Sequence, residues 1–119
     1  MKTFLTAMVA IVAAALFALP APAFAEGDIA QGRQVFANNC AACHMGGGNV
    51  VMGMKTLKQD ALEQYLDNFD AEHNVEAIDY QVANGKNAMP AFSGRLTPEQ
   101  IENVAAYVKS QAENGWVGG

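Results

Sequence analysis

Five consecutive residues constrain the fold of this chain more than any other feature: Cys40-Ala41-Ala42-Cys43-His44. Two cysteines three positions apart on a helical turn carry their thiols on the same side, and the histidine follows them directly. C-x-x-C-H is the attachment motif for c-type haem, in which each thiol forms a thioether with the porphyrin and the imidazole ligates the iron. The motif therefore predicts one covalent haem c, held by Cys40 and Cys43, with His44 as an axial ligand.

A structural zinc site and a redox dithiol are the other interpretations of paired cysteines. A zinc site needs four ligands, but the only other histidine, His73, lies in an acidic stretch typical of a solvated surface. A thioredoxin-type dithiol occurs beside strands that alternate with helices, and the sequence shows no run of strand period. Both alternatives fit less well than haem c.

The first 25 residues have the organisation of a secretory signal peptide. Lys2 is the only charge before Glu26, the segment Phe4–Leu19 is apolar apart from one threonine, and Ala23-Phe24-Ala25 is a small-x-small cleavage site. A helix of this segment would rise about 24 Å, less than the ~30 Å hydrocarbon core of a bilayer. We therefore expect cleavage after Ala25, rather than within Ala21-Pro22-Ala23, and no stable membrane insertion afterwards.

Removal of residues 1–25 leaves a single domain, residues 26–119, of 119 − 25 = 94 residues. Its formal net charge is 6 − 12 = −6, because Lys2 is lost and all 12 acidic residues remain. This acidic balance argues against a nucleic-acid partner, which needs a basic face. A domain of this size buries a modest share of its surface and commonly needs a further stabilising element, such as a disulfide or a bound group. A covalent haem would be such an element.

Helix signals in the mature chain predict an all-α fold with four short helices and no sheet. Each helix begins at a residue whose side chain can cap the first turn, in three cases with Gln at the third helical position. The four predicted starts are Asp28 with Gln31, for a helix that runs into Cys40; Thr56 with Gln59; Asn74, for a helix ending at Gly85; and Thr97 with Pro98 and Gln100. The core face predicted for the last helix is Ile101, Val104, Ala105 and Val108.

A six-coordinate haem iron needs a second axial ligand from the mature chain. The candidates are Met45, Met52, Met54, Met89 and His73. Met45 adjoins the proximal histidine, and Met52 and Met54 follow it too closely to reach the opposite face, which favours core or haem-edge packing for them. Met89 lies far enough along the chain to pass around a porphyrin, in a loop that Pro90 makes rigid, so Met89 is the predicted distal ligand.

The sequence resembles the cytochrome c6 family, also called cytochrome c553, over nearly all of the mature chain. The stretches that carry the resemblance are residues 35–44, 55–57, 80–92 and 94–96. The resemblance implies a class I cytochrome c fold, with four short helices around one covalently attached haem ligated by His44 and Met89. It also implies that Gly32 and Phe36 face Tyr107 where the first and last helices cross, and that Arg95 lies near a docking face.

The resemblance further implies a soluble, monomeric one-electron carrier with no reaction of its own to catalyse. Such a carrier works in the thylakoid lumen of cyanobacteria or plastids, taking electrons from cytochrome f of the cytochrome bf complex to photosystem I. In cyanobacteria it can also feed a terminal oxidase. The chain departs from many relatives at Gly53-Met54, where they have proline, and this departure loosens the loop.

Three other functions stay open at this point. One is a periplasmic respiratory cytochrome that donates electrons to a terminal oxidase. The second is a haem enzyme or sensor in which Met89 leaves the iron and opens it to ligands. The third is a membrane-tethered cytochrome that keeps residues 1–25.

Overall fold

The computed structural model describes residues 27–118, and within them the fold is all-α, as predicted. The predicted leader, residues 1–25, lies outside the described residues. The helices are α1 (Ile29–Asn39), α2 (Ala41–His44), α3 (Gln59–Tyr65), α4 (Asn74–Asn84) and α5 (Pro98–Asn114). Within the described range, β-type backbone pairing is limited to two isolated bridges, Lys86 with Met89 and Ser93 with Leu96. No helix in this range is long and apolar enough to cross a bilayer.

The structure has one helix more than the four predicted. This additional helix, α2, is a single turn that was predicted as part of the first helix and the loop after it. The predicted first helix stops at Asn39 because the backbone at Cys40 leaves helical geometry, with φ −119° and ψ −29°. The Cys40 N–H still donates to the carbonyl of Phe36 (2.8 Å), so the break is a change of direction rather than a loop. Cys43 and His44 consequently lie on α2, whereas Cys40 lies between the two helices.

The start of α1 joins this helix to α5. Asp28 caps α1 as predicted, since its Oδ1 accepts from the Gln31 N–H (3.0 Å). The return bond of the predicted capping box is not made by Gln31, because the Asp28 N–H donates to Oδ1 of Asn103 on α5 (2.8 Å). Asn103 is buried, and a hydrogen bond to a buried amide is costly to leave unmade.

Two of the predicted caps are displaced by one or two residues. Helix α3 begins after Lys58, not at Thr56, because Thr56 Oγ1 accepts from the Lys58 N–H (3.3 Å) and closes a turn ahead of the helix. Helix α4 begins after His73, so Asn74 is its first helical residue rather than its cap. Side chains of this type bond equally well to several nearby backbone groups, which is why the exact start was wrong.

Helix α5 forms as predicted and supplies more residues to the core cluster than any other helix. Its capping box is complete, since Thr97 Oγ1 accepts from the Gln100 N–H (3.1 Å) and Gln100 Oε1 accepts from the Thr97 N–H (2.8 Å). The four predicted core residues of α5 are all buried. The last helix therefore presents one apolar face along its length to the rest of the domain.

Helices α1 and α5 cross at Gly32, as the family resemblance implied. A Cβ placed on Gly32 would meet the main-chain carbonyl of Asn103 and lie 2.9 Å from the Cβ of Tyr107. One turn further along α1, the ring of Phe36 packs on that of Tyr107 with 5.3 Å between centroids. The crossing depends on the missing side chain of Gly32, because any Cβ would push the two backbones apart.

We expect Gly32→Ala to destabilise the holoprotein by about 1–3 kcal/mol, because overpacking at a backbone contact costs that much. Alanine is favoured over glycine within a helix by about 1 kcal/mol. A net loss of stability would therefore show that the clash at the helix crossing outweighs this gain in helix propensity. Thermal unfolding followed by circular dichroism measures the effect. The control is Gly53→Ala, at a glycine with open space around it; equal stability of the two variants would contradict the close contact.

Candidate haem site

The two cysteines of the motif lie at the start of the short helix α2 and on it: Cys40 precedes the helix, and Cys43 is its third residue. Both thiols are free; Cys40 is half-buried and Cys43 is exposed. Burial, followed by the neighbouring Cys43, raises the pKa of the Cys40 thiol to about 11. The side chain of Cys40 borders the hydrophobic core. The turn thus keeps two separate thiols available at the edge of an apolar surface.

His44 ends α2, and its ring is held by the loop that follows. Its Nδ1 donates to the carbonyl oxygen of Gly48 at 2.8 Å. The carbonyl can only accept, so Nδ1 carries the proton and Nε2 is the nitrogen that stays available as a metal ligand. The chain returns toward Gly48 through a tight turn, Met45–Gly47, and the Val50 N–H then donates to the carbonyl of Cys43 (3.0 Å).

Met89 lies in a short loop that backbone hydrogen bonds hold against α4. The loop leaves α4 at Gly85, whose φ is +68°, and a Cβ there would lie 2.5 Å from the Met89 carbonyl oxygen. Lys86 and Met89 exchange two main-chain hydrogen bonds of 3.0 Å. The Met89 side chain is half-buried and packs against the core cluster. These main-chain hydrogen bonds therefore fix the backbone from which the thioether extends.

Gln81 contacts this thioether and was missed by the sequence analysis. It lies on α4, and its Nε2 donates to the Sδ of Met89 at 3.8 Å. The sequence gives only a weak signal for it, because Gln81 precedes Met89 by eight positions and the loop between them must fold back. The amide orients the sulfur that the sequence singled out as distal ligand.

The other ligand candidates lie away from the core. Met45, Met52 and Met54 are exposed over 75%, 44% and 65% of their surface, so the expectation of core packing for Met52 and Met54 is wrong. Their packing at a haem edge stays a prediction. His73 is exposed and pairs with Asp70 through Nδ1 (2.8 Å). That hydrogen bond lowers the pKa of the Asp70 carboxyl, and His73 is a surface residue, as expected.

Arg95 lies six residues beyond Met89 on the same irregular segment. It is exposed, and its guanidinium carbon lies 5.8 Å from the ring centroid of Phe92. Phe92 is buried, and its N–H donates to the carbonyl of Val82 on α4 (2.9 Å). The buried ring therefore holds an exposed cation close to the Met89 loop.

The residues present fit a c-type haem by the chemistry of their donors. Two free thiols lie three positions apart on one short turn of the chain, and the adjacent imidazole has one nitrogen bonded to a carbonyl and the other available. The thioether of Met89 is a soft donor suited to iron, and imidazole suits iron as well. Within residues 27–118, no three His, Cys, Asp or Glu side chains gather as an alternative metal site.

A first helix that leads directly into C-x-x-C-H and crosses the last helix at a glycine defines the protein as a class I c-type cytochrome. Residues 27–108 match the family model described as "Cytochrome C oxidase, cbb3-type, subunit III". Cytochrome c6 of Thermostichus vulcanus is 58% identical over 110 residues, which are 92% of this chain and 94% of that protein. The chain belongs to the cytochrome c6 family, and it carries one covalently bound haem c.

Two further comparisons agree with this family. Cytochrome c6 of Synechococcus elongatus is 63% identical over 91 residues, 76% of this chain and 99% of that protein. The solved structure of cytochrome c6 from the diatom Phaeodactylum tricornutum is 56% identical with a TM-score of 0.72, covering 76% of this chain and all of that chain. Because these relatives are cytochromes c6 at 63% and 56% identity, the alternative of a respiratory donor to a terminal oxidase is not favoured.

We expect Met89→Ala to open the iron of the holoprotein to exogenous ligands, because the substitution removes the proposed distal donor. Met89→His should keep the haem low-spin and lower its reduction potential, since imidazole stabilises ferric iron more than a thioether does. The methionine–iron charge-transfer band of the oxidised protein reports the bond. Met52→Ala and Met54→Ala are matched controls that keep the band; its loss in either, with retention in Met89→Ala, would overturn the assignment.

Proposed function

We propose that this protein accepts electrons from cytochrome f of the cytochrome bf complex and donates them to photosystem I. As a cytochrome c6, it is a haem electron carrier of photosynthesis. The proposal is carried by one observation: a chain 58% identical to a cytochrome c6 over almost all its length presents Cys40, Cys43 and a hydrogen-bonded His44 on one turn.

The chain's own residues hold and orient the cofactor in this proposal. Cys40 and Cys43 would bind it through thioethers, and Nε2 of His44 and Sδ of Met89 would ligate its iron. When bound, the haem supplies an iron that gains and loses one electron. With both His44 and Met89 as ligands, the iron would have no open position for a substrate, so we propose that the chain has no reaction of its own to catalyse.

We propose that half-buried apolar side chains at the edge of the core cluster help to keep water from the cofactor. They pack against the core cluster together with Cys40 and Met89. The members are Ala41, Leu57, Leu66, Phe69, Val75 and Ala83. An apolar surround disfavours the additional charge of ferric iron, so it maintains a high reduction potential together with the thioether ligand.

The charge distribution of the chain favours steered encounters with charged partners. Residues 59–85 contain seven acidic side chains and no Lys or Arg. Arg95, by contrast, is an exposed cation on the segment that carries Met89. Complementary charges raise the rate of encounter between proteins, in a way that falls with salt. We place Arg95 on the face that meets the membrane complexes.

We further propose that the protein is exported to the thylakoid lumen and cleaved after Ala25. The apolar leader and the small-x-small site support this. The Synechococcus elongatus relative supports it too, since 91 aligned residues cover 99% of that protein. That length is within three residues of the 94 that cleavage would leave.

We expect the intact mass of the purified holoprotein to equal residues 26–119 plus one haem. The physical reason is that signal peptidase removes the leader, whereas thioethers survive denaturation. Electrospray mass spectrometry under denaturing conditions measures both. The double variant Cys40→Ala with Cys43→Ala should lose the mass of the haem; a mass that includes residues 1–25 would instead indicate a membrane-tethered protein.

We expect Arg95→Glu to slow electron transfer to photosystem I about three- to tenfold at low ionic strength, because the substitution reverses a docking charge. Flash-induced kinetics give the second-order rate constant. Arg33→Glu is the matched control, since it makes the same change in net charge on α1. Equal rates for both variants would remove Arg95 from the docking face, and an unchanged absorption spectrum would show that the haem site is intact.

A further inference from the structure

We propose that Trp116 is a positioning residue that sets the orientation of the His44 imidazole through the Gly47–Gly48 loop. The inference rests on the proposed function, because it takes His44 as the proximal ligand of the iron. It assigns a role to the segment after α5, which the sequence analysis did not single out.

Trp116 is buried just beyond the end of α5. Gly115 caps the helix in the left-handed conformation, and the Trp116 N–H donates back to the carbonyl of Gln111 (2.8 Å). This return places the indole against the rings of Phe36 and Tyr107, with 5.4 Å and 6.0 Å between centroids. Only 7% of Trp116 is exposed, so packing against its neighbours fixes the position of the indole.

The indole contacts the histidine loop in two ways. Its face lies against Gly47, where an added Cβ would come within 2.5 Å of the indole Cδ2. Its Nε1 donates to the carbonyl of Leu57 (2.9 Å), and the Leu57 N–H in turn donates to the carbonyl of Gly47 (2.8 Å). Trp116 therefore holds Gly47 directly by packing and indirectly through Leu57.

Gly47 is followed by the residue that holds the imidazole. The carbonyl of Gly48 accepts from Nδ1 of His44 at 2.8 Å. Three consecutive glycines precede Asn49, and such a run has no conformational preference strong enough to hold a carbonyl in place. The indole supplies the constraint that the glycines lack, and the carbonyl stays aimed at His44.

A hydrogen bond of this kind tunes a metal ligand as well as orienting it. Donation from Nδ1 to a carbonyl makes the imidazole a stronger base and a better donor. A stronger donor favours ferric iron and lowers the reduction potential. Loss of the Trp116 contact should therefore loosen the bond and raise the potential, which a purely structural role in the core would not do.

The first experiment compares Trp116→Phe with Val104→Ala in the holoprotein. The phenylalanine keeps an aromatic ring but removes the donor to Leu57. Val104 is a fully buried residue of α5 that makes none of the hydrogen bonds described for the loop. We expect Trp116→Phe to speed solvent exchange of the His44 Nδ1 proton about tenfold, as for loss of one ordinary hydrogen bond. We also expect the reduction potential to rise, with neither change in Val104→Ala.

The second experiment compares Gly47→Ala with Gly46→Ala. Both glycines have positive φ, +82° and +64°, so both variants strain the backbone, but only at Gly47 would the added methyl meet the indole. Gly47→Ala should change the His44 Nδ1 proton resonance and the potential in the same direction as Trp116→Phe. Gly46→Ala should leave both close to wild type.

Three results would overturn the inference. One is wild-type exchange and potential in Trp116→Phe, and another is an equal change in Val104→Ala, which would indicate general loosening of the core. Both leave the ligand assignment intact, provided that NMR of the reduced wild type shows His44 ring protons shifted by the haem. Absence of those shifted resonances is the third result, and it would overturn the assignment of His44 together with the inference.

Discussion

The close crossing of α1 and α5 is the contact on which the rest of this structure depends. The helices approach so closely because Gly32 has no side chain, and the buried amide of Asn103 fixes the start of α1 on the same face of α5. From the crossing, α1 leads to Cys40 and α5 leads to Trp116. The motif that follows α1 and the Trp116 that follows α5 both contact or include the turn after His44. The packing of these two helices therefore decides the position of the proposed proximal ligand.

An electron carrier works best when its ligands stay in place between oxidation states, because a fixed polar environment needs no reorganisation during transfer. In this protein the two proposed axial ligands are held mainly by main-chain groups. The carbonyl of Gly48 holds His44, and reciprocal hydrogen bonds with Lys86 hold Met89. Main-chain groups in braced loops neither titrate nor change rotamer, which suits a site whose charge changes at every turnover.

Local sequence signals located the helices well where the partners of a cap lie within one turn. The capping box of Thr97 with Gln100 is of this kind, and it forms in full. The box predicted at Asp28 forms only in part, because its backbone N–H finds Asn103, 75 positions away. Thr56 fails for a different reason, since its hydroxyl is satisfied by a turn that ends before α3 begins.

The sequence by itself determined the cofactor, the helical class and the candidate ligands, because C-x-x-C-H, helix caps and a methionine before proline are all short-range patterns. It also indicated that His73 is a surface residue. Only the tertiary structure brought Gln81 to the sulfur of Met89 and Trp116 to Gly47. These contacts join residues that share no local pattern, and a glycine or a glutamine looks alike in sequence whether it faces water or a ligand. Their roles follow from how α1, α4 and α5 pack, since packing energy depends on neighbours in space rather than on neighbours in the chain.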